Sequence, residues 1–376
     1  MQSESLNFHA ELNGKIKINP THEFKNHEDL KMVYTPGMAY AVEEIAKDSQ
    51  LSFKYTWRSK SVAILCDGTA VLGYGNIGPE AALPVMEGKS VVFQHFAGLS
   101  AIPMCVKTSS SEEIIKLAKQ IEPSFGAIQL EDIKAPECFE IERTLKKELS
   151  IPVFHDDQHG TAVVTLAGLI NSLNLVNKTK EQVKVVINGA GAAGLATAKL
   201  LHDYGFTNLI LLDSRGIISR DRQDLNKYKL ESLDYSNPND ISGGLDFALE
   251  NADIFIGVSV RDLLNKTHIE SMNEKAIVFA LANPVPEIMP EQALEYGAYI
   301  IATGRADYPN QVNNVLAFPG IVKGAMDSGS QIDNRLLINA AIGLSKCVTS
   351  PTPDKIIPGA FDEGVFESVY REILGK

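Results

Sequence analysis

The segment "VKVVINGAGAAG" limits the architecture more than any other stretch of this chain. An apolar run, Val183 to Ile187, leads into Gly189, Gly191 and Gly194 in the pattern G-x-G-x-x-G, and a helical pattern carrying Leu195, Ala198, Leu200 and Leu201 follows at once. The first glycine permits a tight turn, the second admits a pyrophosphate close to the backbone, and the third lets helix and strand pack together. Ala192 and Ala193 keep the intervening positions small, and the helix N-terminus offers free N–H groups to phosphate. Without its context this spacing would describe only a tight strand-to-helix turn. Here a second strand, "TNLILLD", ends in Asp213, where an acid accepts hydrogen bonds from the adenosine ribose of NAD. Arg215, Arg220 and Arg222 lie just beyond and would suit the 2'-phosphate of NADP, so NAD is the expected cofactor and NADP the alternative.

The same alternation of β-branched runs and helical patterns starts near residue 60, with "SVAILCDG", "SSSEEIIKLAKQI", "FGAIQLEDI", "PECFEIERTLKKEL" and "IPVFHDD". Strand and helix in turn imply an α/β fold. Ser110 or Ser111 is expected to cap the first of these helices, ahead of Glu112 and Glu113. A length of 376 residues, 44% hydrophobic, accommodates two domains. The predicted division is an N-terminal α/β substrate and catalytic domain over 1–160, then a Rossmann-type dinucleotide-binding domain with C-terminal helices over 161–376. The polar stretch 214–246 reads as an excursion from the second sheet. A net charge of -12 leaves no basic footprint for nucleic acid and disfavours anionic membranes. The N-terminus shows no signal-peptide pattern, and Cys66, Cys105, Cys138 and Cys347 form no C-x-x-C, so a cytoplasmic protein with reduced thiols is expected.

The stretch "IPVFHDDQHGTA" sets Asp156 and Asp157 between His155 and His159. The spacing evokes the H-E-x-x-H zinc signature, which works only where both histidines share a helix face. A strand-like run before the motif and Gly160 after it predict a helix that begins beyond it, near residue 161, so that the imidazoles diverge. The strand "FGAIQLEDI" likewise closes on acids, Glu131 and Asp132. If the two strands are neighbours, four carboxylates converge and would repel without a cation. An all-oxygen donor set selects Mg2+ or Mn2+. On these residues alone, Asp157 as a helix cap and Glu131 and Asp132 as solvated loop acids remain open.

The ordered set "YTPGMA", "DGTAVLGYGNIGPEAALPVMEGKS", "LEDI", "FHDDQHGTA", "GAGAAG", "ALANPVPE" and "QVNNVLAFPG", spread over roughly residues 25–360, resembles malic enzymes of the short prokaryotic form. The resemblance implies oxidative decarboxylation of L-malate to pyruvate and CO2 with reduction of NAD or NADP and a need for Mg2+ or Mn2+. It implies Glu131, Asp132 and Asp157 as metal ligands, and Asp156 turned toward the catalytic lysine. Lys89 of "MEGKS" would be the base that removes the C2 hydroxyl proton, which requires a pKa lowered by burial or nearby cations. Tyr34 of "YTPG", otherwise a packed aromatic in a turn, would protonate C3 of the enolate. Asn283 would serve nicotinamide and substrate, and Asn313 and Asn314 would contact malate, where local Asx turns are the alternative. In one departure Ala70 stands where larger malic enzymes carry a carboxylate-binding arginine, leaving the 73–78 backbone, Asn76 and the asparagine pair as candidates. The resemblance also implies a homo-oligomer, a dimer at least. A malolactic enzyme or an oxaloacetate decarboxylase would use nearly the same site, whereas a dinucleotide-sensing regulator would need neither Tyr34 nor Lys89.

Overall fold

A computed structural model describes residues 2–375 apart from Leu72 and Ser109. Helices α1 (Gln2–Leu12), α2 (His27–Val33), α3 (Met38–Lys47) and α4 (Ser52–Tyr55) precede a first sheet. Its strands β1 (Ser61–Cys66), β2 (Ser100–Cys105), β3 (Ala127–Glu131) and β4 (Val153–His155) are all parallel, in the order β2-β1-β3-β4. β1 reads "SVAILC" and is buried throughout, as expected of a parallel strand covered on both faces. The covering helices are α5 (Pro79–Val92), α6 (Ser111–Ile121) and α7 (Glu137–Glu148). Ser110 caps α6 by accepting the Glu113 N–H.

The helix α8 (Asp156–Val176) leads to the second sheet and packs against α9 (Ala192–Tyr204). Among the described residues it is the one helix long and apolar enough to cross a membrane, but 72% of that span is buried inside the fold, which marks a core helix. The second sheet holds β5 (Lys184–Asn188), β6 (Asn208–Asp213), β7 (Gly216–Ile217), β8 (Ile254–Gly257), β9 (Ile277–Ala280) and β10 (Ile300–Thr303). Their order is β10-β9-β8-β5-β6-β7, parallel except for β7. The strand order reverses between β5 and β8, the crevice where such sheets take their ligands.

The chain then returns to the first sheet. Gln331 donates to the carbonyls of Leu149 and Ile151 and accepts from Val153 N–H, and the Phe318 ring lies 4.9 Å from that of Phe93. Beyond the C-terminal ends of the strands, Asn314, which follows β10, reaches Asp156, which follows β4. Gly73 sits in the left-handed region at φ 73°, and a Cβ there would lie 2.5 Å from Asn283 O.

One expectation is corrected. α8 starts at Asp156 and runs through the "HDDQH" motif, where a start near residue 161 was expected. His155 is the N-cap, and Asp156 and Asp157 occupy the first turn, where the positive end of the helix dipole favours carboxylates. Gly160 is tolerated because a Cβ there would overlap Asp156 Oδ1. The imidazoles still diverge: His155 Nδ1 faces its own helix end, whereas His159 Nε2 meets Glu142 Oε1 at 2.7 Å.

Gly194 packs so tightly that a Cβ would run into the carbonyl oxygen of Gly189. Gly194→Ala should cost about 1–3 kcal/mol through overpacking. A fall in melting temperature relative to wild type is expected; an unchanged melting curve would contradict this packing.

Candidate active site

Register brings the acids together. Cys66 pairs with Glu131 across β1 and β3, and Leu130 with His155 across β3 and β4, so the ends of β3 and β4 lie side by side. Glu131 and Asp132 are buried, Asp156 is fully buried, and Asp157 is half-buried. Oxygens of Glu131, Asp132 and Asp157 lie within 4.8 Å of one another. Asp132 adopts φ 53°, and its N–H donates to Asp157 Oδ2 at 2.8 Å, which fixes the strand end to the first turn of α8.

Lys89 projects from α5 into this cluster. Its Nζ donates to Asp156 Oδ2, lies 2.9 Å from Glu131 Oε1 and sits 4.8 Å from the Phe318 ring centroid. Asn314 Nδ2 donates to the same Asp156 oxygen at 2.6 Å, so the C-terminal part of the chain helps to orient the pair. Gln129 Nε2 donates to Glu131 Oε2 at 2.9 Å.

Burial raises the pKa of Glu131, Asp132 and Asp156. Desolvation and then Asp157 push Asp132 up to about 8, and burial holds Glu131 and Asp156 above their ordinary values despite Lys89. Lys89 goes the opposite way from expectation. Burial alone would depress it, but Asp156, Glu131 and Asp157 outweigh burial and hold the ammonium charged. Asp132 Oδ2 and Asp156 Oδ1 are buried without a hydrogen-bond partner. One lysine is thus set among more buried acid than it can neutralise, with orphaned oxygens inside. Three oxygen donors at this spacing fit a hard divalent cation, not zinc.

The glycine loop also fits its ligand. α9 begins at Gly191 with no side-chain cap, and the space beside Gly191 is open. Gly189 adopts φ 125° and approaches Val258 across the β5–β8 crevice, while Ala192 and Ala193 open the helix. Asp213 is more heavily engaged than its position alone predicts. Arg222 grips it in a bidentate pair at 2.8 and 2.9 Å, Lys229 of α10 (Lys227–Ser232) at 2.5 Å, and Arg215 N–H at 2.9 Å. These partners overcome the effect of burial and lower its pKa to about 2.

The remaining expected residues divide. Asn283 lies against Gly304, whose Cβ would fall 2.5 Å from Asn283 Nδ2, and faces the first sheet through Gly73. Asn313 Oδ1 accepts Val315 N–H at 3.0 Å, a local turn, whereas its neighbour Asn314 reaches Asp156. Tyr34 is 61% exposed, and its hydroxyl bonds to none of the acid cluster. Gln129, Phe318 and His155 were not singled out for roles in the sequence. For Gln129 the signal was a polar residue in the middle of the buried strand "AIQLE".

Residues 13–146 match the family model of the malic enzyme N-terminal domain, and residues 158–360 match that of the malic enzyme NAD binding domain. The bifunctional malic/malolactic enzyme of Bacillus subtilis is 47% identical over 377 residues, covering 99% of this chain and 92% of that protein. The NAD-dependent malic enzyme of Geobacillus stearothermophilus is 48% identical over 370 residues, covering 98% and 77%. The crystal structure of NAD-dependent malic enzyme from Thermotoga maritima superposes with a TM-score of 0.96 at 49% identity, covering 99% of each chain.

If the three acids hold a cation, Mn2+ should raise the melting temperature of the wild-type protein by mass action. Asp157→Ala should remove most of that rise, whereas His159→Ala should keep it. An equal Mn2+ shift in Asp157→Ala and wild type would contradict the assignment.

Proposed function

The chain belongs to the malic enzyme family, and we propose that it oxidatively decarboxylates L-malate to pyruvate and CO2, reducing NAD or NADP, with Lys89 as the general base. The observation that carries this reading is the insertion of Lys89 among the strand-end carboxylates of the first sheet, while the loop after β1 reaches Asn283 of the second sheet through Gly73. A base is needed because hydride can leave C2 only as the C2 hydroxyl loses its proton. Cofactor and cation supply the hydride acceptor and a Lewis acid for the C2 oxygen. Glu131, Asp132 and Asp157 are the proposed ligands of Mg2+ or Mn2+.

Lys89 serves as base only where the surrounding negative charge is offset, so base and metal requirement are coupled. Asp156, held by Lys89 and Asn314, orients the base. Asn283, Asn313 and Asn314 are the proposed contacts to malate, and Gly189, Gly191 and Gly194 with Ala192, Ala193 and Asp213 those to the dinucleotide. Tyr34 returns a proton to C3 after CO2 leaves.

The exposure of Tyr34, with no hydrogen bond from it to the acid cluster, supports a shared site in a dimer. Helices α1, α2 and α3 contain no buried residue, and Phe24, Met32, Tyr34, Tyr40 and Val42 are all at least 60% exposed. So much exposed apolar surface marks an interface. A second copy covering this arm would bring one Tyr34 to the Lys89 of its partner.

The primary test is purified protein with L-malate and Mn2+, following NAD and NADP reduction separately together with pyruvate and lactate. Pyruvate equal to reduced cofactor is expected. Lactate with no net reduced cofactor would favour the malolactic reaction named for the Bacillus subtilis relative. Lys89→Ala should lower kcat by about 10²- to 10⁴-fold. Mixed and reassociated Lys89→Ala and Tyr34→Phe proteins should regain activity, because a hybrid dimer then holds one site with both groups intact; no recovery would place Tyr34 and Lys89 in the same chain. Asp213, ionised at neutral pH, should favour NAD by repelling a 2'-phosphate. Asp213→Ser, which frees Arg222 and Lys229, should move the ratio of kcat/KM toward NADP by about tenfold or more, and an unchanged ratio would contradict that role.

A further inference from the structure

His155 and His159 flank the acid pair, and the roles assigned above use neither. His159 is engaged by Glu142 of α7, beside a cavity of about 540 Å3 whose lining includes none of the three proposed metal ligands. His155 is arranged differently. Its ring is fully buried at the end of β4, and Nδ1 accepts Gln158 N–H at 3.3 Å, capping α8. A ring nitrogen that accepts a hydrogen bond cannot carry the proton, so the neutral imidazole bears it on Nε2.

That Nε2–H is a buried donor without a hydrogen-bond partner. Orphaned buried donors are rare and costly, and each calls for an explanation. It faces Asp157 Oδ2 at 4.0 Å, just outside hydrogen-bonding reach. Asp157 is the one proposed ligand that is not buried, its side chain 28% exposed, and it is tied by a single bond from Asp132 N–H. A partly exposed carboxylate with one tether thus lies next to a fully buried imidazole at the end of β4.

We propose that His155 is a positioning residue for the metal site, its Nε2–H donating to the Asp157 carboxylate and holding that ligand in its binding orientation. This rests on the reading of Asp157 as a ligand. Outer partners of this kind commonly set metal affinity, because a ligand that must first be ordered binds more weakly. One imidazole then does two jobs: Nδ1 fixes the start of α8, and Nε2 fixes the acid in its first turn.

The two jobs separate by substitution. In His155→Asn the amide oxygen replaces Nδ1 as a helix cap, and Asn is a good N-cap, but no atom reaches the place of Nε2. In His155→Gln the longer amide places an N–H donor near the Nε2 position. The measurement is the Mn2+ dissociation constant, from titration of free Mn2+ by electron paramagnetic resonance, with the metal-free melting temperature recorded alongside. His155→Asn should melt close to wild type yet bind Mn2+ about 10- to 100-fold more weakly, and His155→Gln should recover most of the affinity. Wild-type affinity in His155→Asn would overturn the proposal, as would a loss that His155→Gln fails to restore. If His155→Asn does not fold, His155→Gln decides alone: near-normal affinity supports the donor role, and a tenfold loss at unchanged melting temperature refutes it. Asp157→Asn is the control. If it binds Mn2+ normally, the ligand assignment itself is wrong, whereas a loss there with normal binding in both His155 variants removes only the role of His155.

Discussion

The contact of Lys89 with Asp156 and Glu131 is the interaction on which the site depends. It joins α5, the end of β3 and the start of α8, and through Asn314 and Phe318 it reaches the C-terminal part of the chain. Bringing carboxylates to the ends of adjacent parallel strands concentrates charge that burial makes costly. One ammonium offsets part of it. The orphaned oxygens of Asp132 and Asp156 and the raised pKa of Asp132 show that an excess remains. A divalent cation held by Glu131, Asp132 and Asp157 would offset that excess and weaken the field that keeps Lys89 protonated, which would make the proposed metal site and base one electrostatic unit.

Much of this was legible in residue order because it follows from periodicity. Apolar runs ending in "GAGAAG", "LEDI" and "HDD" place glycines and acids at the C-terminal ends of parallel strands, where α/β sheets bind ligands. Neighbouring strands could be suspected from the paired acid endings, and the register of Leu130 with His155 bears that out. The start of α8 was misjudged because Gly160 read as a helix breaker, yet the Asp156 carboxylate one turn earlier and Asn314 from the C-terminal part of the chain leave room only for glycine there. The sign of the Lys89 shift also escaped a local reading, since it depends on three acids brought from two distant segments.

The two halves of the molecule use one device twice. Between β1 and β3, and again between β5 and β8, the strand order reverses and the chain leaves a crevice lined by strand ends. Beside the first, the ends of β3 and β4 carry the carboxylates, and at the second the turn after β5 carries the glycines, so one suits a cation and the other a pyrophosphate. Contact of Gly73 with Asn283 closes the distance between them. At the second crevice Asp213, the proposed ribose contact, is held by Arg222 and Lys229, so its charge is already partly balanced. The N-terminal arm stands outside this scheme. Its helices bury no residue within the chain, and Tyr34 is exposed among their apolar side chains.

The central claim is that Glu131, Asp132 and Asp157 form one cation site beside Lys89. The most direct measurement is the anomalous difference map of a crystal grown with Mn2+. A single peak about 2.0–2.2 Å from oxygens of all three carboxylates is predicted, a range set by octahedral coordination of small divalent ions. A peak at His155 and His159, or none at the acid cluster, would contradict it.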